Sequence, residues 1–161
     1  MINLSNHSYL GSAMRNPYHV TVNIGKYTSI AEGLNIWTAK HPMGIVSNYP
    51  FYEKFKYDYP RCSVSSPINI GSDVWLGHHV TIVDAITIGD GAIIGAESVV
   101  GKDIPPYAIA VGNPVKIMRY RFTHEQIDTL LKIEWWDWSD TTIKERMKDF
   151  KNIDTFIAKY G

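Results

Sequence analysis

A chain of 161 residues is long enough to bury a core and reads as a single domain. Its 16 Lys and Arg balance 16 Asp and Glu, which argues against nucleic acid or an acidic membrane surface as partner. The single cysteine, Cys62, excludes an internal disulfide framework and fits a reducing compartment.

Met1-Ile-Asn-Leu-Ser-Asn-His7 has neither a basic nor an apolar leader segment. No window approaches roughly 18 uninterrupted apolar residues, so no membrane-spanning helix is expected. The expectation is a cytoplasmic protein. Residues 1–17 are polar, broken by Gly11 and Pro17, and are expected to form an N-terminal cap. From residue 18 a six-residue period runs once through Tyr18, Ile24, Ile30 and Ile36, giving one coil over 18–37. It stops near Trp37 and resumes near Val64, leaving an excursion over 38–63 that holds Tyr49, Phe51, Tyr52, Phe55, Tyr57 and Tyr59. Loops of this length are uncommon and usually functional.

The main repeat spans residues 64–113. Aliphatics recur at Ile70, Leu76, Ile82, Ile88, Ile94 and Val100, each followed by Gly except Ile82, which is followed by Val83. The fourth residue after each is mostly small or β-branched: Val74, Val80, Ile86, Ala92, Ser98 and Ile104. A single strand of about 36 residues is far outside the usual range, and an α-helix would scatter positions six apart around its cylinder. A repeat this short predicts a solenoid in which three flats make one triangular coil. Ile70 should then stack on Ile88, Leu76 on Ile94 and Ile82 on Val100. Coils would be spaced about 4.8 Å apart by parallel pairing, with Ser72-Asp73 and Asp90-Gly91 supplying the left-handed corner conformations.

Residues 114–161 change character. Thr123-His-Glu-Gln126 reads as a capping box opening a helix with Ile127, Leu130 and Leu131 on one face. Trp135-Trp136-Asp137-Trp138 ends it, Ser139 or Asp140 caps a second helix to about Phe150, and Asp154 is expected to cap a third. Three Trp in four positions must pack on the coils or on a neighbouring subunit.

Ile70-Gly-Ser-Asp-Val-Trp-Leu-Gly77 and Val100-Gly-Lys-Asp-Ile-Pro-Pro-Tyr-Ala-Ile-Ala-Val-Gly-Asn-Pro-Val-Lys116 strongly resemble the hexapeptide-repeat acyltransferases. The resemblance implies a left-handed parallel β-helix with a long excursion loop and a helical tail, and the handedness comes from the resemblance alone. It also implies an acetyl-CoA-dependent O-acetyltransferase. A homotrimer is expected, because cyclic symmetry buries an exposed flat in a closed ring.

His41-Pro42 resembles the catalytic segment of galactoside and maltose O-acetyltransferases. Tyr49-Pro50-Phe51 and the Trp-rich tail are similar to the xenobiotic acetyltransferase branch. O-acetyl transfer needs a base that titrates near neutrality, and imidazole suits it; a loop histidine that merely hydrogen-bonds is the plainer reading. The resemblance places Trp75, Gly95, Ala96, Gly101, Lys102 and Lys116 along a coenzyme A groove between subunits, with the two lysines facing phosphates. Arg119 and Arg121 are candidates for the 3′-phosphate, and Tyr49 and Phe51 for the acceptor.

His78 and His79 form a rival constellation. On a flat they would point to opposite faces and could not share a metal, and no metal is expected. The favoured acceptor is a saccharide hydroxyl. A drug of the amphenicol or streptogramin type, an amino-sugar nitrogen, zinc-dependent carbonic-anhydrase chemistry and a purely structural assembly module stand as alternatives.

Overall fold

The computed structural model describes residues 1–161. Each short strand alternates an inward aliphatic with an outward residue, as a half-buried strand requires. In chain order, β1 (Ile2–Leu4) and β2 (Tyr9–Leu10) lead into β3 (Val22–Ile24), β4 (Ser29–Ile30) and β5 (Asn35–Ile36). β6 (Ala39–Lys40) and β7 (Ser63–Val64) enclose a single short helix, α1 (Phe51–Phe55). The repeat resumes through β8 (Ile68–Ile70), β9 (Trp75–Leu76), β10 (Thr81–Ile82), β11 (Thr87–Ile88), β12 (Ile93–Ile94) and β13 (Val99–Val100). β14 (Ala108–Val111) and β15 (Lys116–Tyr120) complete the strands.

The chain visits three sheets in rotation. The first holds β1, β3, β8 and β11; the second β2, β4, β9, β12 and β14, with β15 at its end; the third β5, β10 and β13. Within each sheet these pairings are parallel, and only β14–β15 and the β6–β7 pair are antiparallel. Ile70 pairs with Ile88, Leu76 with Ile94 and Ile82 with Val100, each 18 residues apart, as the repeat requires. Residues 1–17 extend the first two sheets by a strand each, with Ile2 on Val22 and Tyr9 on Ser29 at steps of 20.

The inward aliphatics form one cluster of 21 buried residues. Ile30, Ile36, Leu76, Ile82, Ile88, Ile94 and Val100 are fully enclosed, and each such side chain contributes about 1.5–3 kcal/mol by burial. The corner between the first and second sheets repeats a left-handed residue at His7, Tyr27, Asp73, Gly91 and Tyr107, with φ between 56° and 67°. Asp and Gly accept that conformation readily. Tyr does not, and the stacked coils impose it on Tyr27 and Tyr107.

After β15 the chain is helical: α2 (His124–Ile133), α3 (Asp140–Arg146) and α4 (Ile153–Tyr160). Thr123 and Gln126 make the expected capping box, and Ser139 caps α3. The third cap is Asn152, whose side chain accepts from Thr155 N. Asp154 falls within the first turn of α4 and receives Gln126 Nε2 at 2.9 Å, which corrects the expected cap. Trp136 is buried, and Trp135 packs on Tyr27 at 5.1 Å between ring centroids, so the tail covers the first corner. No helix is long and apolar enough to cross a membrane.

Candidate active site

His41 comes directly after β6, where the excursion leaves the body, and is exposed. Its Nδ1 lies 2.7 Å from the backbone carbonyl oxygen of Asn48. A carbonyl oxygen only accepts, so Nδ1 carries the hydrogen and donates it. The neutral ring then has its lone pair on Nε2, the nitrogen turned away from that bond. The neighbouring carbonyl, of Ser47, accepts from the Tyr59 hydroxyl at 2.8 Å. Tyr59 stands edge-on to Phe51 at 5.2 Å, and Phe51 also packs on Tyr49 at 5.0 Å and Phe55 at 5.7 Å. The aromatic segment therefore fixes the peptide that orients His41. Phe51 is central to this cluster and half-buried, whereas Tyr49 lies at its rim, 46% exposed.

Gly101, Lys102 and Lys116 come together, lining a shallow groove of about 290 Å³ with Val99, Pro114 and Val115. Their corner lies at the end of the third sheet. It is stacked below by Val83, whose N–H donates to Val100 O at 3.0 Å, and then by Trp37, which donates to Ile82 O at 2.8 Å. The excursion bearing His41 departs from this same edge, beyond Trp37 and Thr38. Gly95 and Ala96 occupy the preceding corner. A Cβ on Gly95 would stand 2.6 Å from Val111 Cγ1, so the chain's own next coil already needs that glycine. Trp75 lies elsewhere, on the outer face of the second sheet between Ser29 and Ile93, 54% exposed. It borders a separate groove of about 240 Å³ with Tyr9 and Tyr27.

His78 and His79 depart from the expected alternation. They lie in the turn between β9 and β10, where His79 has φ 54°, and their rings sit 3.7 Å apart between centroids. His79 Nδ1 meets Glu97 Oε1 at 2.9 Å, and its ring covers the position a side chain on Gly33 would need. No three His, Cys, Asp or Glu side chains converge as metal ligands.

Arg121 points away from the lysine groove and is engaged elsewhere. Its Nη1 donates to Asp73 Oδ2 at 2.9 Å and to Gly91 O at 2.7 Å, tying β15's end to the first corner. Burial pushes the Asp73 carboxyl above its usual range, against the pull of Arg121. Arg119 remains exposed. The residue that sequence reasoning missed is Asn48: its contribution is a backbone carbonyl, which carries no side-chain signature.

Residues 67–102 match the family described as bacterial transferase hexapeptide (six repeats). A "probable macrolide acetyltransferase" of Lysinibacillus sphaericus is 41% identical over 146 residues, covering 86% of this chain and 78% of its own. The chain belongs to the hexapeptide-repeat acetyltransferases. A chloramphenicol acetyltransferase of Escherichia coli is 39% identical over 132 residues, 77% of this chain, and this chain spans 63% of that relative's length. Among solved structures, the polySia-specific acetyltransferase NeuO superposes with a TM-score of 0.62 at 25% identity, over 99% of this chain and 64% of its own. Family membership makes this hexapeptide-repeat protein an enzyme of acyl transfer.

Proposed function

We propose that this acetyltransferase moves the acetyl group of acetyl-CoA to a hydroxyl, with His41 as general base, in a homotrimer of left-handed parallel β-helices. The observation that carries the reading is the bond from His41 Nδ1 to the Asn48 carbonyl, which leaves Nε2 as the hydrogen-free nitrogen of an exposed neutral ring. Nε2 takes the proton of the acceptor hydroxyl as its oxygen bonds to the thioester carbonyl carbon. The C–S bond then breaks, and the imidazolium returns the proton to the departing thiolate. The base contributes roughly 10²–10⁴-fold. No Ser or Cys nucleophile is required, so no acyl-enzyme forms.

Lys102 and Lys116 would meet coenzyme A phosphates as point charges, an assignment supported by their sharing one groove with Gly101. Gly95, Ala96 and Trp75 lie too far round the coil to join that groove within one chain. Their proposed contacts with pantetheine therefore depend on an adjacent subunit. Lys116→Glu should weaken coenzyme A binding at least tenfold in calorimetry with the melting temperature unchanged; equal affinity would remove Lys116 from the site.

For the acceptor, a saccharide hydroxyl is the first reading. Tyr49 offers an exposed ring face on which sugar C–H edges can pack, and Phe51 holds that ring in place. The second reading, a hydroxylated drug, is favoured by the relatives named for macrolide and chloramphenicol. Thiol release from acetyl-CoA across sugars, amphenicols, macrolides and amino sugars decides between them. Release with neutral sugars supports the first, and release confined to the drugs replaces it with the second.

A further inference from the structure

The excursion that carries His41 is tied to the body at its neck by a single carboxylate. Asp84 lies in the corner after β10 and receives the ammonium of Lys40, the residue immediately before His41. The same side chain accepts the Ala85 amide at 2.9 Å, and the Ser65 hydroxyl, one residue past β7, helps hold the Asp84 carboxyl below its usual range. Asp84 thus holds the β6 strand of the neck directly, and β7 is held through its ladder to β6. The β6–β7 ladder itself is only two pairs long, Ala39 on Val64 and Lys40 on Ser63. The ladder is supplemented by Ser65 N donating to Thr38 O at 3.2 Å.

Lys40 is 42% and Asp84 32% exposed at the side chain, so the pair is partly shielded from water. Hydrogen bonds between charged groups are the stronger kind. The Lys40 bond also holds the Asp84 carboxyl below its usual range. Asp84 belongs to the stack that Lys102 continues one coil later, since Thr81 and Ile82 pair with Val99 and Val100. A fixed distance from Asp84 to Lys40 is therefore a fixed distance from the lysine-bearing edge to the imidazole.

We propose that Lys40 and Asp84 are positioning residues that set where the His41 imidazole stands relative to the corner bearing Lys102. The proposal rests on the reading of His41 as base. A misplacement of about 1 Å costs on the order of 10²-fold in rate, so a single ion pair at the neck has kinetic weight beyond its contribution to stability.

The test compares the parent with Asp84→Asn, Lys40→Met, His41→Asn and the exchange Lys40→Glu with Asp84→Lys. Steady-state rates are measured with whichever acceptor releases thiol. Trypsin cleavage after Lys54, Lys56 and Arg61, all exposed within the excursion, is monitored separately. Each single change at the clamp should lower kcat at least fivefold with KM for acetyl-CoA within twofold. Asp84→Asn should also speed tryptic cleavage of the folded protein, and the exchange should recover most of the lost kcat. A smaller loss of kcat overturns the proposal, as does an exchange no better than the singles. If Asp84→Asn fails to fold, Lys40→Met decides, since it leaves the Ala85 bond to Asp84 in place. His41→Asn separates the two claims: if it keeps more than a tenth of the parent kcat the base assignment fails. If it is inactive while the clamp variants match the parent, the base stands and the clamp falls.

Discussion

Gly91 has φ +67°, and a Cβ there would run into the Tyr107 ring stacked beneath it in the same corner. Gly91→Ala combines a left-handed alanine with a clash against a buried ring, so a loss of about 1–3 kcal/mol is expected. Gly44→Ala is the control, because nothing lies within 4 Å of its added methyl. Urea unfolding of both checks this, and equal effects would contradict it. Asp73 and Gly91 are legible as corner residues because their side chains tolerate positive φ. Tyr107 and Glu97 are not, because nothing in a tyrosine or glutamate announces a left-handed backbone that stacking imposes from outside. His78 and His79 mislead for the same reason, reading as strand residues when they form a turn.

Among the elements, α4 is held to the tail by Asp149. Lys159 Nζ lies 2.6 Å from Oδ1 and the Tyr160 hydroxyl 2.8 Å from Oδ2. The Lys159 bond first, then that of Tyr160, keep the Asp149 carboxyl below its usual range. A carboxylate depressed in the folded state stabilises fully above its unfolded pKa, about 4. That contribution is lost as pH falls through the lower folded value. Asp149→Asn should therefore lower the melting temperature at pH 7, and the two melting curves should converge toward pH 2. A difference that persists undiminished at acid pH would show that packing, not ionisation, is responsible. Helix starts are legible where Thr123 meets Gln126, but Asn152 and Asp154 are chemically equivalent caps two residues apart. The choice depends on Gln126, which is 28 positions from Asp154. β6 and β7, two residues each, have no period to read.

The whole molecule grows from one six-residue period, which is why residues 64–113 can be folded on paper, register included. Residues 1–17 cannot. Their pairing to the coil over 18–37 advances by 20 residues, and polar residues dominate them, so the period never repeats long enough to register. The excursion's aromatic cluster is visible as composition but not as a device for orienting Asn48. Tyr9 and Trp75 are 61% and 54% exposed on the outer face of the second sheet, an arrangement that favours a covering subunit. Light scattering should give the mass of a trimer at micromolar concentration. A monomer would remove the shared site on which the roles of Gly95, Ala96 and Trp75 depend.

The central claim is that His41 Nε2 takes the acceptor's proton, and a steady-state comparison of parent and His41→Asn tests it most directly. Asn keeps a polar side chain of similar reach, so the excursion should stay folded. The expected outcome is a fall in kcat of roughly 10²–10⁴-fold, about 3–5 kcal/mol in the barrier, with KM for acetyl-CoA nearly unchanged. A variant that retains more than a tenth of the parent kcat, with chemistry limiting the parent's rate, would contradict it.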